Sequence, residues 1–564
     1  MTTTTTDPVA VIGNGPVGQT TALLLARWGV PVVLLDRRPG RDAVGSKAIC
    51  QQRDVLDVWE TVGAGRRVAR EGVTWTTART FYRDDELFAY DLPDHGRSCF
   101  PPFVNISQAR TEEILDEHIA AEPLIDVRWD HDVTDISQDE TGVRLRCRGS
   151  GDDTIAASYA VACAGARGDD VRRLLGVSFE GHSFDDRFLI CDIRTRLPGW
   201  SSERRFYFDP SWNPGRQVLI HPCPDSTFRI DWQVPADYDL EAEEADGSLD
   251  RRIRQIIGEA DYEIVWKSVY RFHARVANRL RVGRVLLAGD CAHLVAPFGA
   301  RGLNSGVADA ENAAWKLAFV SRGWAGESLL ESYHTERHAA ALENLEVTSA
   351  TMRFLVPRTE AELARRVGVL RRARTDTSAH AEVDSGRLSE PFWYVDSPLT
   401  TADPTRPFAG RPPRGRLPAP APGVLVPDGP VRVNGRQRRL RELAREGFLL
   451  LLAPDADSAA VASAVSGLSL PVRVHPFAQL DDTGALAEAF GARPGEVWLI
   501  RPDAHVAAVI NTAVSNTAVI DTAVIDTAVG SIPGSPAAAE AIATALRTAL
   551  SGEGGARSGA AAPA

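Results

Sequence analysis

The sequence predicts an α/β fold in which a parallel-sheet domain is interleaved with a mostly antiparallel β domain and followed by a small C-terminal α/β domain. Residues 8–36 place an Ala/Leu-rich segment between two β-branched runs, which is typical of a βαβ unit. Residues 179–275 are rich in aromatic and β-branched runs, which favours an antiparallel sheet. Seven prolines between Pro404 and Pro422 exclude regular structure and mark a linker before the last domain.

The domain boundaries follow from these changes of pattern. We expect the first part of the parallel-sheet domain over 1–178, the β domain over 179–275, and the return of the first domain with long helices over 276–400. The proline-rich linker then covers 401–423, and the last domain covers 424–564. With 564 residues the chain has room for about three domains of ordinary size.

Local patterns predict the elements of the first domain. A helical region covers Gln108–Ala121, and three strand-like runs at 125–129, 132–137 and 142–148 suggest a meander inserted in the parallel sheet. An apolar strand at 284–288 leads through a loop to a helix that begins near Asn304. Helical pattern continues from Glu327 to about Ala379.

The strongest local motif is a glycine pattern between the first strand and the first helix. Gly13 permits a tight turn, Gly15 lets a pyrophosphate approach the backbone, and Gly18 permits close packing of helix on strand. Asp36, 23 residues after Gly13, ends the second strand and is placed to accept hydrogen bonds from a ribose diol. The motif therefore predicts a dinucleotide site, to which we also assign the neighbouring Val17 and Arg37.

Composition excludes several classes of function. A net charge of −12 disfavours nucleic acid as a partner, because such binding relies on Lys and Arg. The polar start of the sequence shows no secretion signal, and runs such as 30–35 and 448–453 are far shorter than a membrane span. We expect a cytoplasmic protein that does not cross a membrane.

The seven cysteines are scattered, with no CxxC pair and no Cys/His cluster at metal-ligand spacing. They are expected to be reduced and mostly buried thiols, and no metal site is predicted. There is also no GxSxG elbow and no HExxH motif. His221, His273 and His293 lie near the expected site, but a lone histidine is more often structural, so we assign no catalytic residue.

A second long motif identifies the dinucleotide. The segment 283–318, GRVLLAGDCAHLVAPFGARGLNSGVADAENAAWKLA, resembles the second flavin-binding motif of the class A flavoprotein aromatic hydroxylases, the p-hydroxybenzoate hydroxylase-like family. The resemblance implies a Rossmann-like FAD-binding domain interleaved with a substrate-binding β domain. It also implies that Asp290 binds the ribityl chain, and that Pro297 and the backbone of Gly302, Leu303 and Asn304 border the isoalloxazine. The alternative for Asp290 is a helix cap.

Further residues match the same family. The segment 159–176 is similar to its middle motif, with Gly165 in place and Ala164 where the family usually has aspartate; that motif supports the FAD pyrophosphate region and NAD(P)H use. Lys47, where the family commonly has arginine, and Arg53 would neutralise phosphate or flavin charge. Gln108 would offer a donor and an acceptor to the ribityl chain. For each of these the alternative is a surface charge or a helix cap.

The C-terminal part, from about Val424, resembles the thioredoxin-like tail of the phenol and polyketide hydroxylase branch. It contains no CxxC, so thiol exchange is not available to it, and we expect packing or homodimer contacts instead. A five-residue repeat at 511–530 is too short for a solenoid and is assigned no chemistry.

The resemblance implies an FAD-dependent monooxygenase that uses NADPH or NADH and O₂. It would hydroxylate a phenolic or polyketide-like aromatic small molecule through a flavin C4a-hydroperoxide, with the flavin supplying the difficult chemistry. Two alternatives stay open at this point. One is a Baeyer–Villiger oxygenation of a polyketide, and the other is a flavoprotein that sequesters a pathway intermediate with little turnover.

Overall fold

The computed structural model describes residues 7–41, 48–92, 98–149, 153–413, 416–513 and 535–552. Lys47 and most of the five-residue repeat lie outside these ranges. The chain divides into two compact units. The first unit comprises residues 1–314 and 337–390, and the second comprises 315–336 and 391–564.

A six-stranded sheet of order β18-β19-β12-β1-β2-β8 forms one half of the first unit. Its strands are parallel except β18, which pairs antiparallel with β19. Strands β1, β2 and β12 are buried at every residue, which explains their continuous apolar runs. The strands are β1 Val9–Ile12, β2 Val32–Leu35, β8 Ile125–Arg128, β12 Tyr159–Ala162, β18 Arg281–Val282 and β19 Val285–Leu287.

The expected meander is only partly correct. The first of its three runs, β8, joins the parallel sheet beside β2. The other two pair antiparallel with a further strand, which gives a separate three-stranded sheet of order β11-β10-β9. These strands are β9 His131–Gln138, β10 Val143–Gly149 and β11 Asp153–Ala157.

An eight-stranded sheet of order β20-β17-β13-β16-β15-β14-β5-β6 forms the other half of the first unit. It is antiparallel except for the parallel pair of β5 and β14, and it recruits strands from outside 179–275. Its strands are β5 Thr77–Tyr82, β6 Asp85–Asp91, β13 Phe179–Thr195, β14 Glu203–Phe208, β15 Gln217–Cys223, β16 Thr227–Val234, β17 Tyr262–Ala277 and β20 His293–Leu294. One face packs on helix α7 (Ser248–Ile257) through a buried apolar cluster that includes Ile230, Trp232 and Ile253.

The first unit also contains a short sheet of order β3-β7-β4. The short strands are β3 Cys50–Gln52, β4 Val73–Thr74 and β7 Phe103–Asn105. The helices up to residue 372 are α1 Pro16–Arg27, α2 Arg53–Glu60, α3 Gly65–Glu71, α4 Gln108–Ala120, α5 Asp169–Leu174, α6 Leu240–Ala245, α8 Arg301–Ser321, α9 Ser328–Leu355 and α10 Glu360–Arg372. Single 3₁₀ turns cover Gly289–Cys291 and Thr377–Glu382.

The second unit contains a four-stranded sheet of order β24-β23-β25-β26. Strand β23 pairs parallel with β24 and antiparallel with β25. Its core includes Leu449, Phe490 and Trp498. The elements are β21 Pro430–Val433, β22 Arg436–Arg439, α11 Leu440–Ala444, β23 Phe448–Leu452, α12 Ser458–Val465, β24 Val472–Pro476, α13 Phe477–Leu480, α14 Ala485–Phe490, β25 Glu496–Ile500, β26 Val506–Asn511 and α15 Pro536–Ser551.

Over the described ranges, none of the helices combines the length and the apolar character that a membrane crossing requires. All seven cysteines are free thiols, and five of them are buried, as the sequence predicts.

Candidate functional site

One cavity of about 620 Å³ lies between the six-stranded and the eight-stranded sheets of the first unit. The carboxyl ends of β1, β2 and β12 border one side, and the eight-stranded sheet borders the other. Eleven of the residues assigned from the sequence line this cavity: Gly13, Gly15, Val17, Asp36, Arg37, Gln108, Gly165, Asp290, Pro297, Gly302 and Leu303.

The three glycines of the first motif differ in what surrounds them. Gly13 has φ +109°, and a Cβ there would lie 2.3 Å from the carbonyl oxygen of Cys163. A Cβ on Gly18 would lie 1.8 Å from the carbonyl oxygen of Gly13, so this position serves packing rather than the cavity. A Cβ on Gly15 would meet no protein atom within 4 Å. The loop therefore leaves open space at Gly15, where a pyrophosphate would approach the backbone.

Asp36 is held by a dense set of donors at the end of β2. Its carboxylate accepts hydrogen bonds from the backbone N–H of Asn14 at 2.8 Å and from the Arg38 side chain at 3.0 Å. Burial alone would raise the pKa of Asp36, but the hydrogen bonds from Arg38 and Asn14 outweigh it and leave the pKa below its ordinary value. The carboxylate is therefore ionised at neutral pH, and Asp36 lines the cavity.

The second motif packs directly on the first. A Cβ on Gly289 would lie 3.0 Å from Val17 Cγ2, and one on Gly306 would lie 2.6 Å from the same atom. Val17 thus joins the two glycine segments. Asp290 is exposed in the 3₁₀ turn and lines the cavity. Because α8 begins only at Arg301, Asp290 does not cap that helix.

A buried carboxylate on α8 fixes this turn. Asp309 accepts hydrogen bonds from Gly289 N–H at 2.9 Å, from His293 Nε2 at 2.7 Å and from Arg337 Nε at 2.6 Å. Burial would raise the pKa of Asp309, but His293 and Arg337 outweigh burial and hold it below its ordinary value. The backbone beside Asp290 is therefore tied to the helix by an ionised group.

The remaining predicted residues lie at different places. Gln108 accepts a hydrogen bond from Ala48 N–H at 3.1 Å and donates one to Glu112 at 2.8 Å. Asn304 is buried. Its side-chain amide donates a hydrogen bond to the carbonyl oxygen of Cys50 at 3.0 Å and accepts one from the backbone N–H of Gln52 at 3.1 Å. Neither Asn304 nor Arg53 lines the cavity.

The middle motif reaches the cavity through Ala164, Gly165 and Arg167. Gly165 has φ +69°, which favours glycine. Arg172 is buried, donates to the carbonyl oxygen of Cys291 at 3.0 Å and pairs with Asp169, so it links this motif to the 3₁₀ turn.

Sequence reasoning missed two parts of the cavity wall. One is the segment of His131, Asp132 and Val133 at the start of β9, which no motif marks. The other is a polar group on the eight-stranded sheet, in which Arg204, Arg229 and Asp231 join His221, the one member considered from the sequence. Alternation along FRIDW indicates that Arg229 and Asp231 share one face of their strand, but their proximity to Arg204 and His221 depends on how the strands pair.

Of the three histidines considered from the sequence, only His221 lines the cavity. His273 hydrogen-bonds Ser183 at 2.8 Å, and His293 is bonded to Asp309. These two histidines have structural partners.

The fold and the glycine loop define a dinucleotide-binding protein, and comparison with known proteins identifies the dinucleotide as FAD. Residues 6–348 match the family model described as "FAD binding domain", which is more than half of the chain. The chain therefore belongs to this FAD-binding family. Residues 419–536 match a second model, "Aromatic-ring hydroxylase, C-terminal".

Named relatives share part or most of the chain. A 3-(3-hydroxy-phenyl)propionate/3-hydroxycinnamic acid hydroxylase of Mycobacterium sp. (strain JLS) is 30% identical over 359 residues. That match covers 62% of this chain and 60% of the relative's length. A protein of Streptomyces halstedii, provisionally named a polyketide hydroxylase, is 29% identical over 531 residues, which is 89% of this chain and 92% of that protein.

Solved structures share the fold. The flavin-dependent monooxygenase PieE, in complex with FAD and substrate, matches with a TM-score of 0.78 at 22% identity. The match covers 90% of this chain and 96% of PieE. Aklavinone-11 hydroxylase, in a ternary complex with FAD and aklavinone, has a TM-score of 0.72 at 24% identity, with 96% and 99% of the two chains covered.

Proposed function

We propose that this chain is an FAD-dependent monooxygenase that hydroxylates an aromatic small molecule, phenolic or polyketide-like, with NAD(P)H as electron donor and O₂ as co-substrate. The observation that carries the proposal is one continuous cavity, which extends from the glycine loop to an aromatic-lined face of the eight-stranded sheet. The named hydroxylase relatives support this reading.

The cavity wall fits FAD. The open space at Gly15 and the ionised Asp36 suit the pyrophosphate and a ribose, because backbone N–H groups and a carboxylate are their usual partners. Asp290 and Gln108 would hold the ribityl chain, and residues 297–303 would border the isoalloxazine. When bound, the cofactor takes electrons from NAD(P)H and makes O₂ reactive towards an electron-rich ring.

The chain's own residues would exclude water and stabilise charge. Phe188 and Phe272 stack with ring centroids 4.5 Å apart, and both contact Phe298 edge-on at 5.4 and 5.9 Å. This cluster gives the substrate side of the cavity an apolar wall. Helix α8 starts at Arg301, so its N-terminal backbone N–H groups favour negative charge beside residues 297–303.

The test is a screen of phenols and fused-ring polyketide analogues with the FAD-loaded protein. We expect some of them to stimulate NADH or NADPH oxidation and to gain one oxygen atom, with the new hydroxyl on the ring. A lactone product would favour the Baeyer–Villiger alternative. Tight binding without oxidation would favour sequestration, and a protein that cannot be loaded with FAD would refute the proposal.

The 424–564 region would serve packing and, through it, a homodimer. It contains no cysteine, so thiol chemistry is not available to it. Light scattering on the purified protein would measure the oligomeric state.

A further inference from the structure

The cavity-facing side of the eight-stranded sheet carries polar groups at the centre of an otherwise apolar wall. On β15 and β16 the residues Val218, Ile220, Ile230 and Trp232 face the α7 side in one apolar cluster. Because side chains alternate along a strand, their neighbours face the opposite side, which is the cavity. Those neighbours are Leu219, His221, Arg229 and Asp231, and all four line it.

The two arginines of this group already have partners. Arg229 donates to both oxygens of Asp192, at 2.7 and 2.9 Å, and both side chains are buried. Arg204 donates to the carbonyl oxygen of Ser385 at 2.8 Å. These bonds fix two positive charges beside the cavity.

Asp231 and His221 differ from the arginines. Asp231 Oδ1 and His221 Nδ1 are buried polar atoms that have no hydrogen-bond partner among the residues the structure describes. In the β15–β16 register Leu219 lies opposite Asp231 and His221 lies opposite Arg229, so the two polar groups are diagonal neighbours on one face. A buried polar atom without a partner is costly, which points to a partner supplied by a ligand.

Charge defines what that ligand offers. Burial raises the pKa of Asp231 to about 7, although Arg229 opposes the rise. Burial, together with Arg204 and Arg229, lowers the pKa of His221 well below its ordinary value, so the imidazole is neutral at pH 7. The charged and titratable groups that surround Asp231 are Arg204, Asp192, His221, Cys223 and Arg229.

We propose that Asp231 and His221 together recognise a ring hydroxyl of the substrate, and that Asp231 accepts its proton. This inference rests on the proposed function and narrows the substrate class to phenols. The hydroxyl O–H bond breaks, the proton forms an O–H bond on the Asp231 carboxylate, and the electron pair stays on the ring oxygen. Arg204 and Arg229 stabilise that anion, and a phenolate ring is more electron-rich than a phenol and is therefore easier to hydroxylate.

Two probes that differ by one methyl group test the proposal: 2-naphthol and 2-methoxynaphthalene. 2-Methoxynaphthalene has no ionisable proton, and 2-naphthol stays protonated in water between pH 5 and pH 8 because phenols titrate near pH 10. Binding to the FAD-loaded protein is followed by the change in flavin absorbance. We expect the wild type at pH 8 to bind 2-naphthol at least about tenfold more tightly, as for one charge-assisted hydrogen bond.

The preference should depend on pH in a defined direction. Asp231 accepts the stronger, charge-assisted bond only when ionised, so the preference should grow as pH rises from 5 to 8 through its pKa of about 7. Asp231→Asn keeps the shape and one acceptor oxygen but cannot titrate, so its preference should be independent of pH. Asp231→Leu should bind the two probes within about twofold of each other. If Asp231 had a purely structural role, the two variants would show the same pH dependence of the preference as the wild type.

The matched control is Asp225→Asn, the same chemical change at an exposed position in the β15–β16 turn. It should behave as wild type. Equal binding of the two probes by the wild type, binding of neither probe, or an unchanged preference in Asp231→Leu would overturn the proposal. None of these outcomes bears on the screen for ring hydroxylation, so the proposed function stands or fails separately.

Discussion

Gly15 and Gly18 belong to one loop, yet a methyl group added at each position would meet different surroundings. At Gly15 the methyl group meets no protein atom within 4 Å, whereas at Gly18 it would overlap the backbone of Gly13. We expect Gly15→Ala to keep the stability of the apoprotein and to weaken FAD binding. Gly18→Ala should destabilise the apoprotein by about 1–3 kcal/mol. Thermal unfolding without FAD and flavin titration separate the two effects; equal losses of stability would contradict this account.

Asp290 lies on the exposed side of its turn and does not cap α8. Asp290→Ala should therefore leave the fold intact while it weakens FAD binding by about 1.5–3 kcal/mol, the value of a charge-assisted hydrogen bond. Asp237→Ala, at an exposed position on the β16–α6 connection, is the matched control. An unchanged FAD dissociation constant would remove Asp290 from the ribityl site.

Asp36 gives stability that depends on pH. Its pKa in the folded protein lies below its ordinary value, so the ionised form contributes stability that is present above the ordinary pKa and lost as pH falls through the folded value. Asp36→Asn should lower the melting temperature at pH 7, and the gap to wild type should shrink as pH falls below about 4, the ordinary carboxyl range. A gap that stays constant down to pH 3 would show that the charge contributes nothing.

Among the elements, helix α8 has two roles. Its first turn borders the cavity, and Asp309, further along the helix, holds the Gly289 turn through a hydrogen bond. Asp309→Ala would leave Arg337 buried without its carboxylate, which costs about 3–5 kcal/mol for a buried pair. We expect a clear loss of stability in chemical denaturation together with weaker FAD binding. Asp290→Ala, which should lose binding alone, serves as the comparison.

Elements with strong local signals were predictable from the sequence. The βαβ unit and α4 follow from periodicity and glycine chemistry that act over a few residues. The partner of β8 was not predictable, because a short strand carries no local mark of whether it pairs with β2 or with β9. For the same reason the sequence did not place Asp231 and His221 together, since their proximity depends on the β15–β16 register.

At the scale of the whole molecule, the second unit contains a fully buried group of four charges. Lys316 and Arg501 both bond Glu336, at 2.6 and 2.5 Å, and Arg501 also bonds Asp503 at 2.6 Å. Arg501→Ala removes one of the two cations and leaves the two buried carboxylates, Glu336 and Asp503, with a single positive charge between them. We expect a loss of about 3–5 kcal/mol in chemical denaturation. Arg547→Ala, in an exposed pair with Glu540, should cost far less, because solvent screens that pair.

Deletion of the chain after Pro404 tests the tail as a packing element. It would remove Arg501 and Asp503 from this buried group. It would also remove the ring contacts that Phe448 makes with Trp315 and Phe319. The newly exposed apolar surface should make the truncated protein insoluble or strongly associated. A soluble truncated protein that binds FAD but no longer oxidises NAD(P)H with aromatic ligands would instead give the tail a role in catalysis.

The same buried charges come together only late in the synthesis of the chain. Glu336 leaves the ribosome 165 residues before Arg501, its principal partner. At about 5–20 residues per second, Glu336 and the apolar surface around Trp315 wait roughly 10–30 seconds for the segment that completes their core. During that interval the growing chain carries an unfinished apolar surface, which is the kind of surface that chaperones bind. Yield in cells should therefore respond to the speed of translation across residues 337–500 more than the stability of the finished protein would suggest.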